Sequence, residues 1–339
     1  MNRRTITRVA GVIAAAVMIA APPPPARAVS ARSLPVAIAA IAAATDAAAA
    51  AAAAAVRFSP PDTRATNPRP PTTVNQLRYC PATGLSTDIR GTRLRLPAYS
   101  DRPTVLQMSA PSTAPLVVVF HGRNSCIEMI QSQTDLALLA PNFGVNILWL
   151  SGKPTPTRAW NADDVIPPII PPVSPPGKPP YVDDYPYIAA AIDAAYAAAA
   201  LRPSAVVSTG ISNGAGMSIA AACHFPSRFT LVVAVAGWVP PHCPRMNMTL
   251  VTIGGTADAE LGAVKAATNA DQWRSWVMVG CQSAPDIARY VTSTITTWTC
   301  AAGRYVKLVQ LNDVPHVWPT YDFYDADTEI LRVAHYGQG

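Results

Sequence analysis

The 339 residues leave room for one large domain with extensions, and 26 Lys and Arg against 20 Asp and Glu give a formal charge of +6. That excess would suggest a nucleic acid or a membrane surface as partner, but it is confined to the N-terminal part: Arg3, Arg4, Arg8 and Arg27 meet no acid in residues 1–28, and Arg32, Arg57, Arg64 and Arg69 meet only Asp46 and Asp62 up to residue 75. From residue 76 onward 18 basic and 18 acidic residues balance, which excludes a basic nucleic-acid-binding domain.

In chain order, residues 1–28 read as a secretory signal peptide. Arg3, Arg4 and Arg8 form a basic start, Val9 to Ala21 an apolar run, and Ala26-Arg27-Ala28 a small-x-small cleavage site. The apolar run is too short to span a bilayer, and no cysteine adjoins it for lipid attachment, so a secreted chain without a stable membrane anchor is expected. Residues 29–75 form an extension. It holds an alanine tract, Ala47 to Ala55, with helix propensity but no amphipathic face, followed by a Pro-, Thr- and Arg-rich linker. The folded domain is expected over 76–339, interrupted by a Pro-rich insertion at about 163–182 that reads as a surface loop.

Within that domain, Leu116 to Phe120, Val145 to Leu150, Ala205 to Thr209, Leu231 to Ala236, Leu250 to Ile253 and Tyr305 to Leu311 read as strands, with Thr292 to Thr299 a short additional one. Several are continuous apolar runs, as expected for strands covered on both faces of a parallel sheet. Helices are expected over Ile127 to Leu139, Asp183 to Ala200, Ala215 to Cys223 and Glu260 to Val279. The alternation predicts a three-layer α/β sandwich with a mostly parallel central sheet.

The strand ending at Thr209 runs into Gly210-Ile211-Ser212-Asn213-Gly214. A G-x-S-x-G between a buried strand and a helix is the layout of a nucleophile elbow, as in the α/β-hydrolase fold. Small flanking residues let the turn close, and the serine oxygen is left exposed at the strand end beside a helix N-terminus. Such a serine needs a base and a group to orient it. Of five histidines, His121 precedes the serine, His224 and His242 follow it too closely to admit an acid-bearing strand, and His335 lies in the terminal tail. His316, in the loop after the strand ending at Leu311, remains. The acid expected between them is Asp258, after Gly254-Gly255; Glu260 is the fallback, Asp286 and Asp313 are weaker, and a helix cap is the rival role for Asp258.

An oxyanion hole would take the backbone N–H of Asn213 and a second donor from the loop after Val117 to Phe120. His121-Gly122-Arg123 supplies it, with the Arg123 amide first and Asn124 the alternative. Trp160, Asn161, Trp318 and His121 are placed along the substrate site, His121 in a supporting rather than catalytic part. Six cysteines in an exported chain favour disulfides. Cys281 with Cys300, bracketing a short β-like stretch, is the first pairing, and Cys80–Cys126 and Cys223–Cys243 follow by elimination. A zinc site at Cys223-His224 and His242-Cys243 is the rival, disfavoured because adjacent residues seldom point at one ion and no C-x-x-C is present. No metal or organic cofactor is implied.

The runs His121-Gly122, Ser212-Asn213-Gly214-Ala215-Gly216-Met217, Gly255-Thr256-Ala257-Asp258 and His316-Val317-Trp318-Pro319 together resemble the secreted polyhydroxybutyrate depolymerase and feruloyl esterase group of α/β-hydrolases. Val182-Asp183-Asp184 and the stretch Ala221 to Phe229 agree with it, so the resemblance spans about residues 78–320. It implies a serine carboxylic-ester hydrolase with Ser212, Asp258 and His316 as its triad, acting through an acyl-enzyme on short-chain, hydroxyalkanoate or aromatic esters. No granule-tethering module is seen after the triad, so small or oligomeric esters are expected ahead of insoluble polymer. A cell-envelope acyltransferase using the same triad and a catalytically silent surface-binding protein are the alternatives.

Overall fold

The structure is a computed structural model and describes Cys80 and residues 89–154, 158–162, 182–239, 243–320 and 324–336. The signal peptide, the alanine tract, the linker and nearly all of the Pro-rich insertion lie outside these residues.

Among the described residues ten strands form one sheet. They are β1 (Thr92–Arg93), β2 (Thr104–Gln107), β3 (Leu116–Phe120), β4 (Asn146–Leu150), β5 (Val206–Ile211), β6 (Leu231–Val235), β7 (Thr249–Gly255), β8 (Asp286–Arg289), β9 (Ser293–Thr299) and β10 (Tyr305–Leu311). Their order is β1-β2-β4-β3-β5-β6-β7-β10-β9-β8. The central run from β4 to β10 is parallel throughout, and antiparallel strands finish both edges.

The continuous apolar sequence of the central strands follows from cover on both faces. In β3, Leu116, Val118 and Phe120 enter one core cluster, whereas Val117 and Val119 enter the other. Helices α3 (Tyr185–Ala199), α4 (Asn213–His224) and α5 (Gly262–Gln272) cover the first face. The second is covered by α1 (Ile127–Gln133), α2 (Leu136–Phe143) and α6 (Ala326–Tyr336). In α3 the alanines at 191 and 195, beside Ile188 and Ile192, are fully buried and let the helix approach the sheet closely.

Two expected helices depart from their sequence bounds. The stretch 127–139 breaks into α1 and α2 because Thr134 is extended (φ −126°, ψ 152°) and its hydroxyl caps Ile130 O at 2.9 Å. The stretch 260–279 begins as α5 and continues as a π turn, Trp273–Val277, whose Trp273 is buried with its indole N–H on Met248 O at 2.8 Å.

The three disulfides are Cys80–Cys126, Cys223–Cys243 and Cys281–Cys300, as the sequence led us to expect. The second consumes both thiols of the rival zinc reading, and the His224 ring stacks on Tyr185 with centroids 4.0 Å apart. Helix α6 docks through a buried ionic cluster. Glu329 takes Lys307 Nζ of β10 on one carboxylate oxygen and Arg332 on the other, each at 2.6 Å. Burial alone would raise the Glu329 carboxyl, but the two cations hold it below its ordinary value. Among the described residues no helix is long and apolar enough to cross a membrane.

Candidate active site

Ser212 stands between β5 and α4 with φ 56° and ψ −124°. For a residue with a Cβ this is a strained backbone, worth about 1–3 kcal/mol, and its surroundings hold it there. The Ser212 N–H donates to Val235 O at 2.9 Å, and Ser212 O accepts the Gly216 N–H at 3.0 Å. The two glycines of the pentapeptide are steric requirements: a Cβ at Gly210 would overlap Phe120 O, and one at Gly214 would overlap the carbonyls of Phe120 and His121. Ser212 Oγ has no hydrogen-bond partner among the described residues.

Further along the parallel sheet, Asp258 after β7 and His316 after β10 meet, two and three strands from β5. His316 Nδ1 donates to Asp258 Oδ2 at 2.7 Å; the Asp258 side chain is wholly buried and that of His316 is 22% exposed. The other oxygen, Asp258 Oδ1, accepts the amides of Glu260 (2.9 Å) and Leu261 (3.0 Å). The cap and the orienting acid are therefore one residue using two oxygens. Burial would raise the Asp258 carboxyl, but the Leu261 amide, the His316 bond and the amides of Glu260 and Gly262 together hold it below the ordinary range. Glu260, the fallback acid, is 74% exposed and lies 4.0 Å from His316 Nε2, beyond hydrogen-bond reach.

The loops carrying this pair are stitched to each other. Thr256 N–H donates to Leu311 O (2.8 Å), Ala257 N–H to Val314 O (3.1 Å), and Asp313 N–H to Thr256 Oγ1 (2.8 Å). Gly255 is the point of closest approach, since a Cβ there would collide with Val314 O.

On the other side of the serine, residues 122–125 form a turn closed by Ser125 N–H on Gly122 O at 3.2 Å, with Asn124 at φ 58°. A Cβ at Gly122 would sit 3.7 Å from Ser212 Cβ, so the turn lies directly against the serine. The Asn124 amide is taken by Arg158 O at 2.7 Å, which removes Asn124 as an oxyanion donor. The amides of Arg123 and of Asn213, the first residue of α4, have no acceptor among the described residues.

The four residues placed along the substrate site are each tied into the surrounding structure, His121, Trp160 and Trp318 as buried residues and Asn161 as a half-buried one. His121 is wholly buried: its Nδ1 donates to Gly122 O (2.7 Å) and its Nε2 accepts the Gly152 N–H (2.9 Å). Burial pushes its pKa down to about 3 against the Gly122 bond, and the charges of Arg158 and Arg102 lower it further, so the ring is neutral. Trp160 is 4% exposed, with its indole N–H on His121 O at 2.9 Å. Asn161 spends its amide on Val182 O (3.2 Å) and its backbone N–H on Asp184 Oδ2 (2.7 Å). Trp318 is 6% exposed and donates to Asp327 Oδ1 at 3.1 Å.

Sequence reasoning overlooked three supports. The Asn213 side chain clasps the backbone of Trp160 in both directions. Arg102 and Asp184 form a buried ion pair at 2.6 Å, with the Arg102 guanidinium 3.8 Å over the Tyr187 ring. Asp327 joins Trp318 to the Asp135 amide at the start of α2, the latter at 2.9 Å. Only Asp184 had a signal, in the Val182-Asp183-Asp184 run.

No protein-family model and no curated protein sequence matches the chain. Among solved structures, the acetyl xylan esterase from Aspergillus awamori is similar at 15% identity and TM-score 0.53, over 68% of this chain and 94% of that one. The carboxylesterase from Bacillus cereus shares 13% identity at TM-score 0.48, over 70% and 96%. At such identities the first likeness is one of fold, and together with the strand order and the strained serine it defines an α/β-hydrolase fold.

Proposed function

We propose that this chain is an exported serine carboxylic-ester hydrolase. The observation that carries the reading is the pairing of His316 with a buried, amide-bound Asp258 on the same sheet edge as a strained Ser212 whose Oγ has no partner among the described residues. With Nδ1 donating to Asp258, the remaining nitrogen of a neutral His316 is an acceptor for the serine proton. Ser212 Oγ attacks the ester carbonyl as His316 Nε2 takes that proton, and Asp258 stabilises the imidazolium. The oxyanion is received by the free amides of Arg123 and Asn213. The imidazolium returns the proton to the departing alcohol, leaving an acyl-serine. Water then gives a proton to His316 and its oxygen to the acyl carbon; the imidazolium returns that proton to Ser212 Oγ as the acyl–serine bond breaks, and the acyl group leaves as the carboxylic acid.

Three disulfides fit an oxidising compartment and so support the exported setting. The resemblance to polyhydroxybutyrate depolymerases and feruloyl esterases suggests short-chain, hydroxyalkanoate or aromatic acyl groups. Hydrolysis of 4-nitrophenyl esters of graded chain length tests the reading. We expect turnover that Ser212→Ala abolishes; equal rates for the two proteins would refute the nucleophile.

A further inference from the structure

Residues 151–154 and 158–160, which follow β4, are knitted into the proposed oxyanion hole at three points. Gly152 N–H bonds His121 Nε2 (2.9 Å), Arg158 O accepts the Asn124 N–H (2.7 Å), and the Trp160 backbone is held by the Asn213 side chain (2.7 and 3.0 Å). Lys153 pairs with Ala159 in an antiparallel bridge, which brings the backbone at Lys153 close to that at Arg158. Arg123 sits on the turn it is tied to. Lys153 and Arg158 are half-buried and Arg123 is exposed. None of the three has a carboxylate partner among the described residues. In a domain whose formal charge cancels, three cations without a carboxylate partner among the described residues are a local concentration on the loops at this border of the site. The opposite border carries the reverse sign, since Glu260 stands exposed beside His316. The field of Arg158 reaches the oxyanion loop, where it contributes to keeping His121 neutral.

We propose that Arg123, Lys153 and Arg158 form a carboxylate subsite, making the preferred substrate an ester that bears a free carboxylate. The subsite deepens the ester-hydrolase reading and rests on it. Cations bordering the hole attract an anionic ester, and they hold its carboxylate on the β3–β4 side, away from Glu260. A neutral ester of equal length gains nothing from them.

The test uses matched pairs that carry the charge on either side of the scissile bond. One pair is mono-4-nitrophenyl adipate against 4-nitrophenyl hexanoate; the other is 4-carboxyphenyl acetate against its methyl ester. Each rate is corrected for the enzyme-independent reaction. In one of the pairs kcat/KM should favour the anionic ester by about tenfold, the size of one or two partly screened ion pairs. The Lys153→Gln/Arg158→Gln double variant should remove that preference, while its rate on the neutral ester stays within about twofold and certifies the fold. Raising the salt concentration should erode the preference and leave the neutral ester unaffected. Neutral and anionic esters cleaved alike in both pairs, or a preference that survives the double variant, would overturn the subsite while leaving the hydrolase intact. Loss of the hydrolase itself would show differently, as turnover of neutral esters indifferent to Ser212→Ala.

Discussion

Asn213 holds Trp160 by its backbone in both directions: Asn213 Oδ1 accepts the Trp160 N–H at 2.7 Å, and Nδ2 donates to Trp160 O at 3.0 Å. The residue beside the candidate nucleophile thus fixes the neighbouring loop with its side chain and leaves its own amide free. Asn213→Ala would strand two backbone groups in a site only 4% exposed, costing roughly 2–4 kcal/mol. Asn213→Asp would set a carboxylate oxygen against Trp160 O and do no better. Denaturant unfolding measures both, and a loss below about 1 kcal/mol would show the clasp to be incidental.

Asp258→Asn should separate the two duties of that side chain. An amide oxygen can still accept the Glu260 and Leu261 amides, so the melting temperature should change little. The bond to His316 loses its charge and favours the wrong tautomer, which should lower kcat roughly 10³- to 10⁴-fold. Glu260→Gln should stay within about tenfold of wild type, because its carboxylate lies beyond hydrogen-bond reach of the ring. Comparable losses from the two substitutions would make Glu260 a working acid.

Asp327 gives the fold a pH dependence of known sign. Burial raises its carboxyl to about 8, with the Asp135 amide and the Trp318 indole opposing and the charges of Asp325 and Asp135 adding. Between an unfolded value near 4 and about 8 in the fold, the native state keeps a proton that the unfolded chain has lost. Stability from this group is therefore complete below the unfolded value and is lost as pH rises through the folded one. The melting temperature should fall from pH 5 to pH 8.5, and Asp327→Asn should flatten that slope. Parallel slopes for the two proteins would contradict the assignment.

Cys223 and Cys243 close a short loop, with a sequence separation of 20. Replacing both by serine should cost about 3 kcal/mol through the greater freedom of the unfolded chain. Thermal unfolding with and without reductant measures it: wild type should lose stability on reduction, and the double variant should lose less.

The central strands and the elbow were readable because one physical cause shaped both. A strand covered on two faces must be apolar at every position, as Val117 to Phe120 are, and a turn pressed against Phe120 O tolerates only glycine at 210 and 214. The edges were not readable. β2 has four residues next to a proline, β8 is mostly exposed, and neither forms an apolar run. Helix α6 mixes Asp327, Glu329 and Arg332 with its buried Ile330, Leu331 and Val333, so it passed for a polar tail. The tryptophans at 160 and 318 were legible only in part. Their positions beside the site were apparent, but which way each ring turned depends on carbonyls and carboxylates far away in sequence, His121 O and Asp327.

The Asp258–His316 contact joins residues 58 positions apart, and the serine directly follows β5, with β6 and β7 between that strand and β10. Contacts of such long range form late, because the connecting chain must be ordered before they are rewarded. Regained turnover after dilution from denaturant should accordingly lag the return of helical signal, which makes catalysis a clock for the last step of assembly.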